Sequence, residues 1–167
     1  MDPWYLVTLA GEPLLWGSTV WIVLLAYLLL RGRFPPGKRK VLRRLTYVYI
    51  PGVLASLLLV LALKEVIIVP RPCIPCSQGI EACNPYCGTD NSFPSGHAAG
   101  VFAVATSLFL GLRKKGVIPF YAFSVLVALS RLFLGVHTVV DIAGGMAIGI
   151  VVPFAFSLIY KKKLESR

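Results

Sequence analysis

The chain has 167 residues, 57% hydrophobic and only 14% charged, with 17 Lys and Arg against 7 Asp and Glu for a net charge of +10. So apolar a composition excludes a disordered basic tail and argues against a nucleic-acid binder, whose non-basic remainder is polar. Soluble domains average roughly 45–50% apolar and 25% charged residues, so the balance here indicates an integral membrane protein with its basic residues in the loops.

The first element, Pro3–Ala10, is short, carries Trp4 and Tyr5, and fits a segment lying at the membrane interface. Gly11, Glu12 and Pro13 separate it from the first span, and an N-terminal region with Asp2 but no Lys or Arg gives no sign of a signal peptide. Five apolar stretches come next, at about Pro13–Leu30, Leu45–Val69, Gly96–Leu112, Val117–Leu134 and Thr138–Tyr160. Each is near the roughly 20 residues that a transmembrane helix needs. The predicted fold class is all-α: one membrane-embedded bundle of about five spans over residues 1–167. Residues 1–12 form the interfacial segment and residues 70–94 an outer loop. A soluble bundle would show a polar stripe on each helix, and Leu57–Leu63 and Phe102–Leu112 show almost none.

Basic residues orient the bundle. Seven lie between Arg31 and Arg44, three at Arg113, Lys114 and Lys115, and four at Lys161, Lys162, Lys163 and Arg167. Five spans put these segments on one side, and the positive-inside rule makes that side cytoplasmic. The N-terminus, the loop near Arg71–Pro94 and the turn at Gly135–Val136 are then outside. Lys64, Arg71 and Arg131 break the rule, sitting at or near outer helix ends. Lys64 and Arg131 can snorkel outward, but three cations on a depleted face are also what an outer anion requires.

The acid–base groups map to the same face. Pro94, Ser95 and Gly96 precede His97 at the start of the third span, a helix-start pattern whose first-turn N–H groups suit an anion. His137 opens the fifth span and Asp141 follows at i+4, so both side chains share one helix face. A carboxylate behind an imidazole fixes its tautomer and orientation. Alone, His97 reads as a boundary residue, Ser95 as a helix cap and His137–Asp141 as a structural ion pair. Together, three cations, two histidines and a carboxylate on one face suit phosphoryl transfer, which relies on positioning and on stabilising spread negative charge.

The order Lys64-x6-Arg71-Pro72, Pro94-Ser95-Gly96-His97, Ser130-Arg131-x5-His137-x3-Asp141 resembles the three-part signature of the type-2 phosphatidic acid phosphatase superfamily. The resemblance implies that His137 is the nucleophile, forming a phosphohistidine, and that Asp141 orients it. It implies that His97 is first acid and then base, and that Lys64, Arg71, Ser95, Gly96 and Arg131 hold the phosphate. It implies no cofactor and no metal, and no metal-binding pattern surrounds the histidines. Six spans are usual in that family, against five here.

Cys73, Cys76, Cys83 and Cys87 all fall in the outer loop. Two disulfides are the favoured state on a non-cytoplasmic side; a zinc site and free thiols are the alternatives, and three pairings are open. Gly145-x3-Gly149 permits close helix packing, within the chain by preference over a dimer seam. Pro153, and Pro51-Gly52, are expected to bend their spans.

The expected activity is hydrolysis of a membrane lipid phosphate or diphosphate at the outer leaflet of, by preference, the plasma membrane. A polyprenyl diphosphate, phosphatidylglycerophosphate and phosphatidic acid all suit it, and the short chain without a large soluble domain favours the first. A lipid phosphotransferase or a non-catalytic headgroup-binding protein are the alternatives. The expected partners are the lipid substrate and the bilayer, with no nucleic acid, in a monomer or homodimer.

Overall fold

The computed structural model describes residues 3–76, 83–112 and 115–165. Of the residues used above to orient the chain, Asp2, Arg113, Lys114 and Arg167 lie outside that set. The described residues are mostly helical, and none of them forms a strand. Helix α1 covers Pro3–Leu9, α2 Pro13–Leu30, α3 Pro36–Val66, α4 Gly96–Leu112, α5 Ile118–Phe133 and α6 Val139–Glu165. A short 3-10 turn, Lys115–Val117, joins α4 to α5.

Proline marks several of the starts. Helices α2, α3 and α5 each carry proline in their first turn, where the missing N–H costs nothing. Two helices differ in extent from the sequence expectation. Helix α3 begins at Pro36 rather than Leu45, so most of the first basic cluster forms its opening turns. At 31 residues it is about 46 Å long, longer than a bilayer core of about 30 Å. Its end falls at Val66; Ile67 is extended, and Ile68 and Val69 lie outside the helix. Helices α3 and α6 continue through Pro51 and Pro153.

The segment Pro3–Leu30, α3 and α6 are long and apolar enough to cross a membrane. Helices α4 and α5, at 17 and 16 residues, are shorter. Helix α4 is the hub: it touches α2, α3, α5 and α6 and is buried continuously from Ala98 to Ser107. Its Gly96, Ala98, Ala99, Gly100, Ala103 and Ala105 keep the backbone accessible, since helices in lipid associate through close packing. The outward faces of α2 and α6 are apolar, with Leu14, Trp21, Ile22, Val151 and Ile159 all exposed.

Two glycine contacts set the approach of the helices. A Cβ at Gly145 would stand 2.3 Å from the Ser95 carbonyl, and one at Gly149 would stand 2.6 Å from the Ala99 carbonyl. The Gly-x3-Gly pair is therefore the seam between α6 and α4, inside the chain. One turn further along the same stripe of α6, Gly52 of α3 lies against Pro153 and against Ser107 of α4.

Helix α1 packs on α5. Trp4 stacks on Phe133 at 4.3 Å and Tyr5 on Tyr86 at 4.6 Å, while Thr8 is buried. The N-terminal piece therefore sits beside the ends of α4 and α5 that carry His97 and Arg131.

Candidate active site

The loop from Ile67 to Ser95 brings its chemistry to the start of α4 by several ties. Disulfides join Cys73 to Cys87 and Cys76 to Cys83. They are nested, and a bridge between Pro75 and Asn84 lies between them. Asn84 donates from Nδ2 to the Leu134 carbonyl at 2.7 Å, tying the loop to the α5–α6 turn. Gly135 makes that turn with a φ of 66°, a conformation that suits glycine. The Ser95 N–H donates to the Asp141 carbonyl at 2.9 Å, a backbone link between the starts of α4 and α6.

These ties assemble a cavity of about 460 Å³. Lys64 of α3, Arg71 of the loop, Gly96 and His97 of α4, Arg131 of α5 and His137 of the α5–α6 turn all line it. One wall is apolar, built from Pro13 and Leu14 of α2 with Leu57, Val60 and Leu61 of α3. Ser95 and Asp141 stand behind this surface, both almost fully buried. The structure thus brings together all eight candidate residues.

The imidazole of His137 is held from both sides. Its Nδ1 lies 3.5 Å from Asp141 Oδ2 and 3.3 Å from Ser92 Oγ. Its Nε2 lies 3.3 Å from Arg71 Nη1. Burial pulls the His137 pKa down to about 3, helped by the charges of Arg71, Arg131 and Lys64 and opposed by Asp141, so the ring is neutral. A neutral ring with Nε2 toward the cavity offers a lone pair there.

The cations do not snorkel. Arg131 is 6% exposed and donates from Nη1 to Thr8 Oγ1 at 2.7 Å. Lys64 and Arg71 turn to Asp90 instead, at 2.7 Å and 2.6 Å. Lys64 also donates to the Asn91 carbonyl, and Arg71 to the carbonyls of Asp90 and Val136. Burial alone would raise the Asp90 pKa; hydrogen bonds and charge from Lys64 and Arg71 outweigh it and hold the carboxyl at about 2. Two buried polar atoms at the site, Ser95 Oγ and Arg131 Nε, have no hydrogen-bond partner among the described residues. Orphaned buried donors are costly unless a ligand satisfies them.

Four residues of this site escape the sequence: Thr8, Glu12, Asp90 and Ser92. Glu12 Oε2 lies 3.3 Å from His97 Nε2. The acids carried a usable signal: the chain has only seven, and Asp90 stands four residues before Pro94 while Glu12 stands directly before the first span. Thr8 and Ser92 carried none.

The sequence profile of the PAP2 superfamily matches residues 45–165. The chain belongs to the PAP2 superfamily. Undecaprenyl-diphosphatase BcrC of Bacillus subtilis is 31% identical over 107 residues, which cover 64% of this chain and 51% of that protein. The PAP2 chain therefore spans about half the length of that relative. Its fold is similar to the crystal structure of a transmembrane PAP2-type phosphatidylglycerolphosphate phosphatase from Bacillus subtilis. That match has a TM-score of 0.71 and 25% identity, covering 97% of this chain and 79% of the other. It is also similar to Aquifex aeolicus LpxE, with a TM-score of 0.61 and 26% identity over 94% and 93% of the two chains. The profile begins at residue 45, so Thr8 and Glu12 lie outside the matched region.

Proposed function

We propose that this PAP2 chain hydrolyses a lipid phosphate or diphosphate through a phosphohistidine on His137, at the outer leaflet. His137 Nε2 attacks phosphorus, and the bond to the leaving oxygen breaks. His97 gives that oxygen a proton, then takes one from the water that attacks the phosphohistidine, whose bond from phosphorus to Nε2 breaks to release inorganic phosphate and free His137. Asp141 orients His137 and stabilises its positive charge. Lys64, Arg71, Arg131, Ser95 Oγ and the Gly96 N–H hold the phosphoryl oxygens as charge shifts among them.

The observation that carries this reading is the pairing of His137 Nε2, open to the cavity beside Arg71, with the orphaned Ser95 Oγ and Arg131 Nε. Lone pair and unsatisfied donors are the two halves of a phosphoryl-transfer site. The apolar wall of Leu14, Leu57, Val60 and Leu61 suits a hydrocarbon tail. It and the similarity to BcrC favour a polyprenyl diphosphate. The basic ends at the far side of the bundle support a site facing away from the cytoplasm.

The test is phosphate release by purified protein from a panel of lipid phosphates and diphosphates in excess EDTA. Turnover is expected on at least one lipid and is expected to vanish in His137→Ala. Phosphate release retained by that variant overturns the mechanism, and a phosphorylated acceptor in place of inorganic phosphate makes the chain a transferase.

A further inference from the structure

We infer that Ser92 is a positioning residue for the nucleophile, setting the tautomer of His137 and the rotamer of Asp141; this rests on the proposed role of His137. Ser92 is fully buried, and its backbone N–H donates to the Val69 carbonyl at 2.8 Å, which fixes where its side chain starts. Its hydroxyl lies 2.5 Å from Asp141 Oδ2 and 3.3 Å from His137 Nδ1.

Counting protons settles the direction of each bond. An ionised carboxylate only accepts, and a serine hydroxyl has one hydrogen. That hydrogen goes to Asp141, at the shorter distance. What Ser92 then turns toward the imidazole is a lone pair, so Nδ1 must carry the ring proton. Nε2 is left with its lone pair toward the cavity, where Arg71 Nη1 donates to it at 3.3 Å.

Asp141 alone holds the ring loosely. Its Oδ2 stands 3.5 Å from Nδ1 against 3.3 Å for Ser92 Oγ, both longer than the usual hydrogen-bond range of about 2.7–3.2 Å, with the serine the nearer of the two. The same oxygen accepts the Thr138 N–H at 2.7 Å. Ser92 and Thr138 therefore pin the carboxylate, and Ser92 reaches the ring from the loop side. The nucleophile is steered by a serine and an aspartate drawn from different segments, 49 residues apart.

Ser92→Ala removes the hydroxyl and keeps the backbone anchor. Its kcat for phosphate release is expected to fall about 10–100-fold, the usual cost of losing an orienting partner, with KM within about twofold. Ser92→Cys fills similar space with a weak S–H donor and is expected to fall in the same sense, so the test survives an alanine variant that does not fold. A merely structural serine would not touch the ring, so 15N spectra of histidine-labelled protein give the second readout. The chain has two histidines, and His97→Gln assigns them. In the parent protein His137 is expected as the Nδ1–H form, and in the Ser92 variants as a mixture. Unchanged kcat, or an unchanged tautomer, overturns the inference. The two proposals fail separately: activity in His137→Ala removes the nucleophile, whereas an inactive His137→Ala beside a fully active Ser92→Ala removes only the role of Ser92.

Discussion

Replacing Gly145 by alanine is expected to part α4, which carries His97, from α6, which carries Asp141 and begins two residues after His137. The new Cβ would stand 2.3 Å from the Ser95 carbonyl oxygen, 3.1 Å from Ala98 Cβ and 3.2 Å from the Ala99 nitrogen. Ordinary contact begins near 3.4 Å, so α6 and α4 must separate by about 1 Å at this point. Two of the three obstructing atoms are backbone, and no flexible side chain can absorb the strain. The same movement stretches the Ser95 N–H to Asp141 carbonyl bond, 2.9 Å in the structure, past hydrogen-bond range. Ser95, Gly96 and His97 ride on one side of that link, and His137 and Asp141 on the other. A misplacement of about 1 Å between reacting groups can cost on the order of 100-fold in rate, and overpacking costs about 1–3 kcal/mol of stability. The assay is kcat/KM for phosphate release by detergent-purified protein, with a melting curve on the same sample. Gly37→Ala is the control, because nothing lies within 4 Å of a Cβ there. A folded Gly145→Ala enzyme with parental kcat/KM would refute the claim that this contact sets the site.

Three further outcomes are expected. Asp90→Asn frees Lys64 and Arg71 from their carboxylate, so inhibition by inorganic phosphate should tighten a few-fold, the scale of half-exposed ion pairs worth about 0.2–1 kcal/mol each; unchanged or weaker inhibition counts against it. His137 is held neutral with a pKa of about 3, so below its unfolded value of about 6.5 the unfolded chain binds more protons than the folded one. Its contribution to stability is complete above pH 6.5 and shrinks as pH falls toward 3. His137→Gln should therefore flatten the rise of melting temperature between about pH 4 and 7, and an identical slope in both proteins contradicts it. Reductant should lower both melting temperature and activity. The outer disulfide closes a 14-residue separation, worth roughly 3 kcal/mol by chain entropy, and Arg71 and Asp90 flank its two ends; no change in either measurement removes the link.

The spans and the eight signature residues could be read from sequence because both are local patterns. An uninterrupted apolar run must be helical in lipid, and a histidine four residues before an aspartate shares its face in any helix. Lys64 and Arg131 could be flagged because a charge near a span is expensive. Their partners could not. Thr8 meets Arg131 across 123 residues and Ser92 meets Asp141 across 49, and neither hydroxyl stands out in a sequence with so many. The N-terminal piece shows the same limit. Trp4 and Tyr5 suit an interface, and their stacking on Phe133 and Tyr86, distant in sequence, is what places them. Four cysteines in one loop allow three pairings, and the Pro75–Asn84 bridge that accompanies the nested pair depends on the fold of the loop.

The carboxylates around the cavity also balance its charge. Lys64 and Arg71 meet Asp90, while Glu12 lies against His97, Asp141 lies behind His137, and Arg131 completes three cations against three acids. Counted over those six ionised side chains, the charges sum to zero. A bundle can then assemble in a medium of low polarity without burying a net charge, the most expensive thing a membrane protein can do. In the proposed reaction, phosphate capture is then an anion exchange: the incoming oxygens take the hydrogen bonds that Lys64 and Arg71 now give to Asp90, and the half-exposed carboxylate turns to water.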